Sequence, residues 1–244
     1  MSEERVTENA GVEPGQQVMP FYLVCDVSYS MSNDMVKLND GIQRLRLAIV
    51  SEPAVDDVAH IGIISFSDSA RVVLPLTQMS EHTIPALSVD GGTNYGAAFR
   101  LLAQTIAQDT ASLKTQGYRV YRPCAFFMSD GEPLDRDWEQ TFRATLTYDS
   151  STGTGMKGHP VFVPFGFRDA PEHVLRKLAY PLEKGRWYHT KSHDVEEALQ
   201  GILDIIMNTV ISSGRSASAG QPALIPQAPP AGSSIQHGDP DIWM

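Results

Sequence analysis

Two cysteines in 244 residues are too few for a disulfide scaffold or a four-thiolate zinc site. Long apolar runs are missing too. The longest are strand-sized, far short of the ~20 residues that cross a bilayer. The N-terminal stretch MSEERVTENAGVEPG has four glutamates, one arginine and no apolar core, so it does not read as a secretory signal. Basic side chains are outnumbered 29 to 19, giving a net charge of −10, and they form no stripe. Nucleic acid and anionic membrane surfaces both need clustered cations, so neither is an expected partner. The seven histidines make no H-E-x-x-H, and no G-x-S-x-G elbow or Walker A sequence occurs. A cytoplasmic, acidic protein is the expectation.

Composition divides the chain in three. Residues 1–18 are polar and acidic, with too few apolar side chains to offset the entropy of ordering, and are expected to be disordered. Residues 214–244 hold five of the 16 prolines and only three charged residues, Arg215, Asp239 and Asp241. They read as a disordered Pro/Ala/Ser-rich tail, removable after Ser213 with little change in melting temperature, although Ile242-Trp243-Met244 could be a short docking motif. The domain is expected at 19–213.

Within it two periods alternate. Phe21–Cys25, Ile61–Phe66, Arg71–Leu76, Cys124–Met128, Val161–Phe165 and Trp187–Thr190 are strand-like. Arg71–Leu76 is placed as an antiparallel edge neighbour of the strand before it. Met35, Leu38, Ile42, Leu45 and Ile49 mark an amphipathic helix capped by Asn33. Tyr95 to Leu113 marks another. Asp137–Leu146, a short stretch after Pro171, and Val195 to Val210, starting near Ser192 or Asp194, complete the set. Strands alternating with helices predict an α/β, doubly wound (Rossmann-like), mostly parallel central sheet with helices on both faces and one antiparallel edge strand.

In such sheets ligands bind beyond the carboxyl ends of the strands, where strand order reverses. The first strand runs into Asp26-Val27-Ser28-Tyr29-Ser30, and the strand ending at Met128 into Ser129-Asp130-Gly131. Gly91-Gly92-Thr93-Asn94 precedes the Tyr95 helix. Two carboxylates and several hydroxyls therefore converge on one sheet edge without histidine or cysteine. An oxygen-only set suits a hard divalent cation, Mg²⁺ or Mn²⁺.

This constellation resembles the metal-ion-dependent adhesion site (MIDAS) of von Willebrand factor A (vWA) domains. D-x-S-x-S stands as Asp26-x-Ser28-x-Ser30, the isolated threonine as Thr93, and D-G as Asp130-Gly131. YLVCDVSYSM, ISFSDSARV, GGTNYG and MSDGEP look most similar to bacterial vWA proteins of tellurium-resistance and stress systems. The resemblance implies a vWA fold, hydroxyl ligands from Ser28, Ser30 and Thr93, and Asp26 and Asp130 binding the cation directly or through water. It also implies a non-enzymatic protein-binding module that captures a partner's Glu or Asp, the partner being a kinase, a phosphatase or another tellurium-resistance-type protein. Where the family usually has glycine between the two serines, this chain has Tyr29, which is expected in an ordinary backbone conformation at the rim.

Other readings remain. Asp26 sits where haloacid-dehalogenase-type phosphatases place their nucleophile, which allows a Mg²⁺-dependent phosphohydrolase, although Ser28 replaces the second acid. A metal-independent scaffold is a third reading. Gly153-Thr154-Gly155-Met156-Lys157-Gly158 fits G-x-G-x-x-G but precedes a strand, so it reads as a loop. Glu132 and Asp135 are expected as solvated rim residues beside Tyr29. If the strands of Asp26 and Asp130 end level, Cys25 and Cys124 are offset by five residues, roughly 16 Å, on opposite faces and unbridged.

Overall fold

The fold is known from a computed structural model that describes residues 15–190 and 195–241. Chain order is β1 (Gln17–Asp26), α1 (Met35–Val50), α2 (Pro53–Asp56), β2 (Ala59–Phe66), β3 (Ala70–Thr77), α3 (Tyr95–Thr115), β4 (Arg119–Val120) and β5 (Cys124–Ser129). Then follow α4 (Trp138–Leu146), β6 (Tyr148–Asp149), β7 (Thr154–Gly155), β8 (Val161–Phe167), α5 (Glu172–Leu178), β9 (Trp187–Thr190), α6 (Val195–Ser218) and β10 (Ile235–Gly238).

The main sheet runs β10-β9-β8-β5-β1-β2-β3, with β4 joined to the start of β1. The strands from β9 to β2 pair in parallel. The expected α/β, Rossmann-like architecture is what forms, with two differences. Both edges are antiparallel, β3 on β2 and β10 on β9, where one was expected. The second edge comes from the segment expected to be a disordered tail. α6 runs through Gly214 to Ser218, and the chain then crosses back to supply β10. Sheet pairing and side-chain hydroxyls satisfy this segment's backbone: Ser213 Oγ accepts from Ile225 N–H, and Thr209 Oγ1 from Gln227 N–H. Low apolar content does not preclude order where partners for the main chain are already in place. The expected disorder of residues 1–14, the expected start of the last helix and the Ile242-Trp243-Met244 motif lie outside the described residues; β1 itself begins at Gln17.

Alternate side chains of β1 feed two cores on opposite faces of the sheet. Phe21, Leu23 and Cys25 join the aliphatic stripe of α1 and the Ile202, Ile206 and Val210 face of α6. Tyr22 and Val24 join an aromatic layer with Phe66, Tyr95, Phe99, Phe127, Phe142 and Phe162. The ring of Phe127 lies 4.7 Å from that of Tyr95 and 5.0 Å from that of Phe66. Burial on both faces explains why the central strands read as unbroken apolar runs.

Register corrects the cysteine expectation. Cys25 stands opposite Met128, and Phe21 opposite Cys124, so the offset is four residues and both thiols face the same core. The strands end level, but with Ser129, and not Asp130, opposite Asp26, so the two aspartates are offset by one residue. Four residues still span ~13 Å at ~3.3 Å each, and both cysteines are free.

Candidate metal centre

β1 and β5 are neighbours, yet β1 connects onward to β2 on its other side. The reversal of strand order therefore falls between them, opening a crevice at their carboxyl ends. Asp26, the last residue of β1, is 0% exposed. Its Oδ1 accepts from the Ser28 N–H at 2.9 Å and its Oδ2 from the Ser129 hydroxyl at 2.6 Å. Ser28 Oγ lies 3.0 Å from Ser30 Oγ, and Ser30 Oγ donates to Asp130 Oδ1 at 2.7 Å. Four of the five expected residues thus form one hydrogen-bonded arc from Asp26 to Asp130. Thr93 is buried beside it. Its loop is tied to the first loop by Asp90 N–H to Val27 O and Tyr29 N–H to Gly91 O, and to the third by Leu134 N–H to Thr93 O. Residues 21–132 match the von Willebrand factor type A domain.

That match covers a little under half of the chain. Among solved structures, the vWA fold recurs in von Willebrand factor type A from Catenulispora acidiphila, with a TM-score of 0.51 at 18% identity over 80% of this chain and 43% of that one. Proximal thread matrix protein 1 of the mussel byssus, with a zinc-occupied MIDAS motif, gives 0.53 at 13% identity over 82% and 49%. The pilus adhesin SpaC of Lactobacillus rhamnosus GG, in its open conformation, gives 0.56 at 13% identity over 80% and 30%. At such identities the likeness is one of fold, and the chain spans less than half the length of each. No curated protein matches the sequence.

The three loops are held by contacts that the sequence motifs do not display. Gly91 has φ +55, and a Cβ there would lie 2.5 Å from Asp68 Oδ2, so the Gly91-Gly92 turn is built around the Asp68 carboxylate, which accepts from Gly92 N–H. Asp135, expected at the rim, accepts from the N–H groups of Tyr95 and Gly96, while Asn94 Oδ1 accepts from Ala97 N–H. Both acceptors cap α3 and fix the Thr93 loop against the Asp130 loop. The Tyr95 hydroxyl donates to Gly131 O from below. Tyr29 opens a 3-10 helix, Tyr29–Asn33, with its ring 70% exposed. Arg168, with φ 53, is the positive-φ non-glycine residue among those described, so Tyr29 needs no left-handed backbone. Glu132 is exposed, as expected. The 3-10 turn also displaces the expected cap of α1: Asn33 is inside it, and Asp34 takes the N-cap position without a side-chain cap bond.

Asp34 and Arg168 are the two residues here that the sequence did not point to. Asp34 is 2% exposed, and its Oδ2 lies 2.5 Å from Arg168 Nη2. Burial pushes its carboxyl up against the opposing pull of Arg168. Burial likewise pushes Asp26 up to about 6, although hydrogen bonds from Ser129 and Ser28 favour the ionised form. Asp26 is therefore a carboxylate short of positive charge. Its pairing partners are all neutral. Among the described residues no three His, Cys, Asp or Glu side chains are placed together to hold a metal ion. The donors gathered here are carboxylate and hydroxyl oxygens, a set fitted to a hard cation.

Proposed function

We propose that the chain is a non-enzymatic, divalent-cation-dependent protein-binding module that captures a partner carboxylate. The supporting observation is the arc Asp26–Ser28–Ser30–Asp130 at the switch point, with Thr93 pinned beside it. Asp26, Ser28, Ser30, Thr93 and Asp130 would hold Mg²⁺ or Mn²⁺. Such an ion, when bound, offers positive charge and an open coordination position to an incoming Glu or Asp. The chain's own contribution is to hold the hydroxyls rigidly by backbone bonds between loops and to orient Asp26 by the bonds it accepts from Ser28 and Ser129. Two carboxylates neutralise the ion, and hydroxyls fill positions without adding charge.

The phosphohydrolase reading finds less support. A phosphohydrolase of that kind would need a second acid two residues after Asp26 as its general acid, and Ser28 stands there. The motif likeness to tellurium-resistance and stress-type vWA proteins supports, as part of the same proposal, a role in a bacterial cytoplasmic stress system with a kinase, phosphatase or related protein as partner. No helix among the described residues is long and apolar enough to cross a membrane.

The test is capture from bacterial lysate on immobilised full-length protein in Mg²⁺, in EDTA, and with Asp130→Ala. A band retained in Mg²⁺ and lost in both other arms supports the reading. Equal capture in all three arms would leave the metal-independent scaffold in its place.

A further inference from the structure

Arg168 follows β8, on the side of β5 away from β1. Its φ of 53 is a left-handed conformation uncommon outside glycine, and it sends the side chain back across the end of β5. Nη1 donates to Asp130 Oδ2 at 2.9 Å and to the Ser30 carbonyl at 2.9 Å. Nη2 pairs with Asp34 at 2.5 Å. The guanidinium is 25% exposed, while the Asp34 and Asp130 side chains are 3% and 1% exposed. The two carboxylates are thus desolvated while the guanidinium keeps one side open to solvent, so the pairs are screened less than ion pairs on the surface.

Resting on the cation-dependent reading, we propose that Arg168 sets the affinity of the site by contending with the divalent cation for Asp130. Ser30 Oγ takes one oxygen of that carboxylate and Arg168 the other. A cation approaching Asp130 must displace the guanidinium or accept a fixed positive charge beside it, and either weakens binding. The charges make the contest close. Asp26, Asp34 and Asp130 carry three negative charges and Arg168 one positive, leaving two for one divalent ion. A partner carboxylate entering the crevice can take over the freed guanidinium as well as the ion. Loading and capture then favour each other, and the ion is held loosely until a partner arrives.

Calorimetric titration of Mn²⁺ into the full chain tests this with four proteins: wild type, Arg168→Gln, the double variant Arg168→Gln with Asp34→Asn, and Arg176→Gln. The double variant removes the guanidinium without leaving Asp34 buried and unpaired, and keeps the formal charge of the site at the wild-type value. Arg176→Gln makes the same charge change on α5, where Arg176 pairs with Glu172 and Asp241. Thermal melting in EDTA verifies that each protein is folded. Expected are a Kd at least tenfold lower in Arg168→Gln, several-fold lower in the double variant, and unchanged in Arg176→Gln. Wild-type affinity in Arg168→Gln overturns the proposal and leaves the cation reading intact. Tightening in Arg168→Gln but not in the double variant assigns the effect to net charge and overturns contention for Asp130. No Mn²⁺ binding by any of the four overturns both.

Discussion

The loop after β1 and the loop after β5 each bring one carboxylate to the same crevice, and each keeps it by different means. Asp26 is sealed in by a hydroxyl and an amide, and among the described residues no cation pairs with it. Asp130 shares a hydroxyl with a guanidinium that arrives from a third loop. The first arrangement is rigid and holds negative charge at a cost in stability. The second is exchangeable, because Arg168 can leave without unfolding a strand. Stability and its pH dependence should therefore concentrate at Asp26, and ligand effects at Asp130.

The two loops share one foundation, the aromatic layer under β1 and β5, and disturbing it gives the largest expected effect. Phe127→Ala opens a cavity among Phe66, Tyr95, Phe99 and Phe162 and should cost about 3–5 kcal/mol by urea denaturation. Next comes the pH profile. Asp26 titrates near ~3.9 in the unfolded chain and at about 6 in the fold. Between those values the native state binds the extra proton, so stability falls as pH rises through this window. The loss by pH 7 is roughly 3 kcal/mol. Asp26→Asn, which keeps both neighbours within hydrogen-bond reach, should hold its stability from pH 4 to 7 in EDTA. Parallel profiles for the two proteins would show that Asp26 does not titrate there. Ser129→Ala removes the donor to a buried carboxylate oxygen and should cost about 1–3 kcal/mol at pH 7, and less at pH 4. The smallest effect belongs to the rim. Tyr29→Ser should leave the melting midpoint within the equivalent of ~0.5 kcal/mol, since the ring is mostly in solvent.

Elements with a period of their own were legible in the sequence. The apolar runs of β1, β2, β5 and β8 and the 3–4 spacing in α1 and α3 carry their burial pattern with them. The five candidate residues were legible because each stands next to a strand or helix end. Arg168 was not, since only its backbone turn after β8 directs it to Asp130, and no local motif encodes that turn. Asp34 was hidden by the 3-10 turn that shifts the cap of α1 by one residue. The role of Ser129 depends on the register that sets it, and not Asp130, opposite Asp26, a property of pairing between distant segments. β10 escaped for the same reason. Four residues after a proline-rich stretch have no strand signal until β9 offers them a ladder.

That last strand bears on what the sheet presents at its edge. β9 is short and buried, and without β10 its outer row of amides and carbonyls would face water as a template for a foreign strand. The returning segment also latches itself down: Trp187 Nε1 donates to Asp239 O, the Tyr188 hydroxyl to Gln227 O, and Arg176 pairs with Asp241. The Pro-rich stretch between α6 and β10 is thus a strap across one side of the sheet, and β10 is its buckle. A chain cut after Ser213 would keep every residue of the candidate site, lose the buried Ala217 and Ile235, and move the open edge of the sheet from the four-residue β10 to β9, whose own side chains are buried.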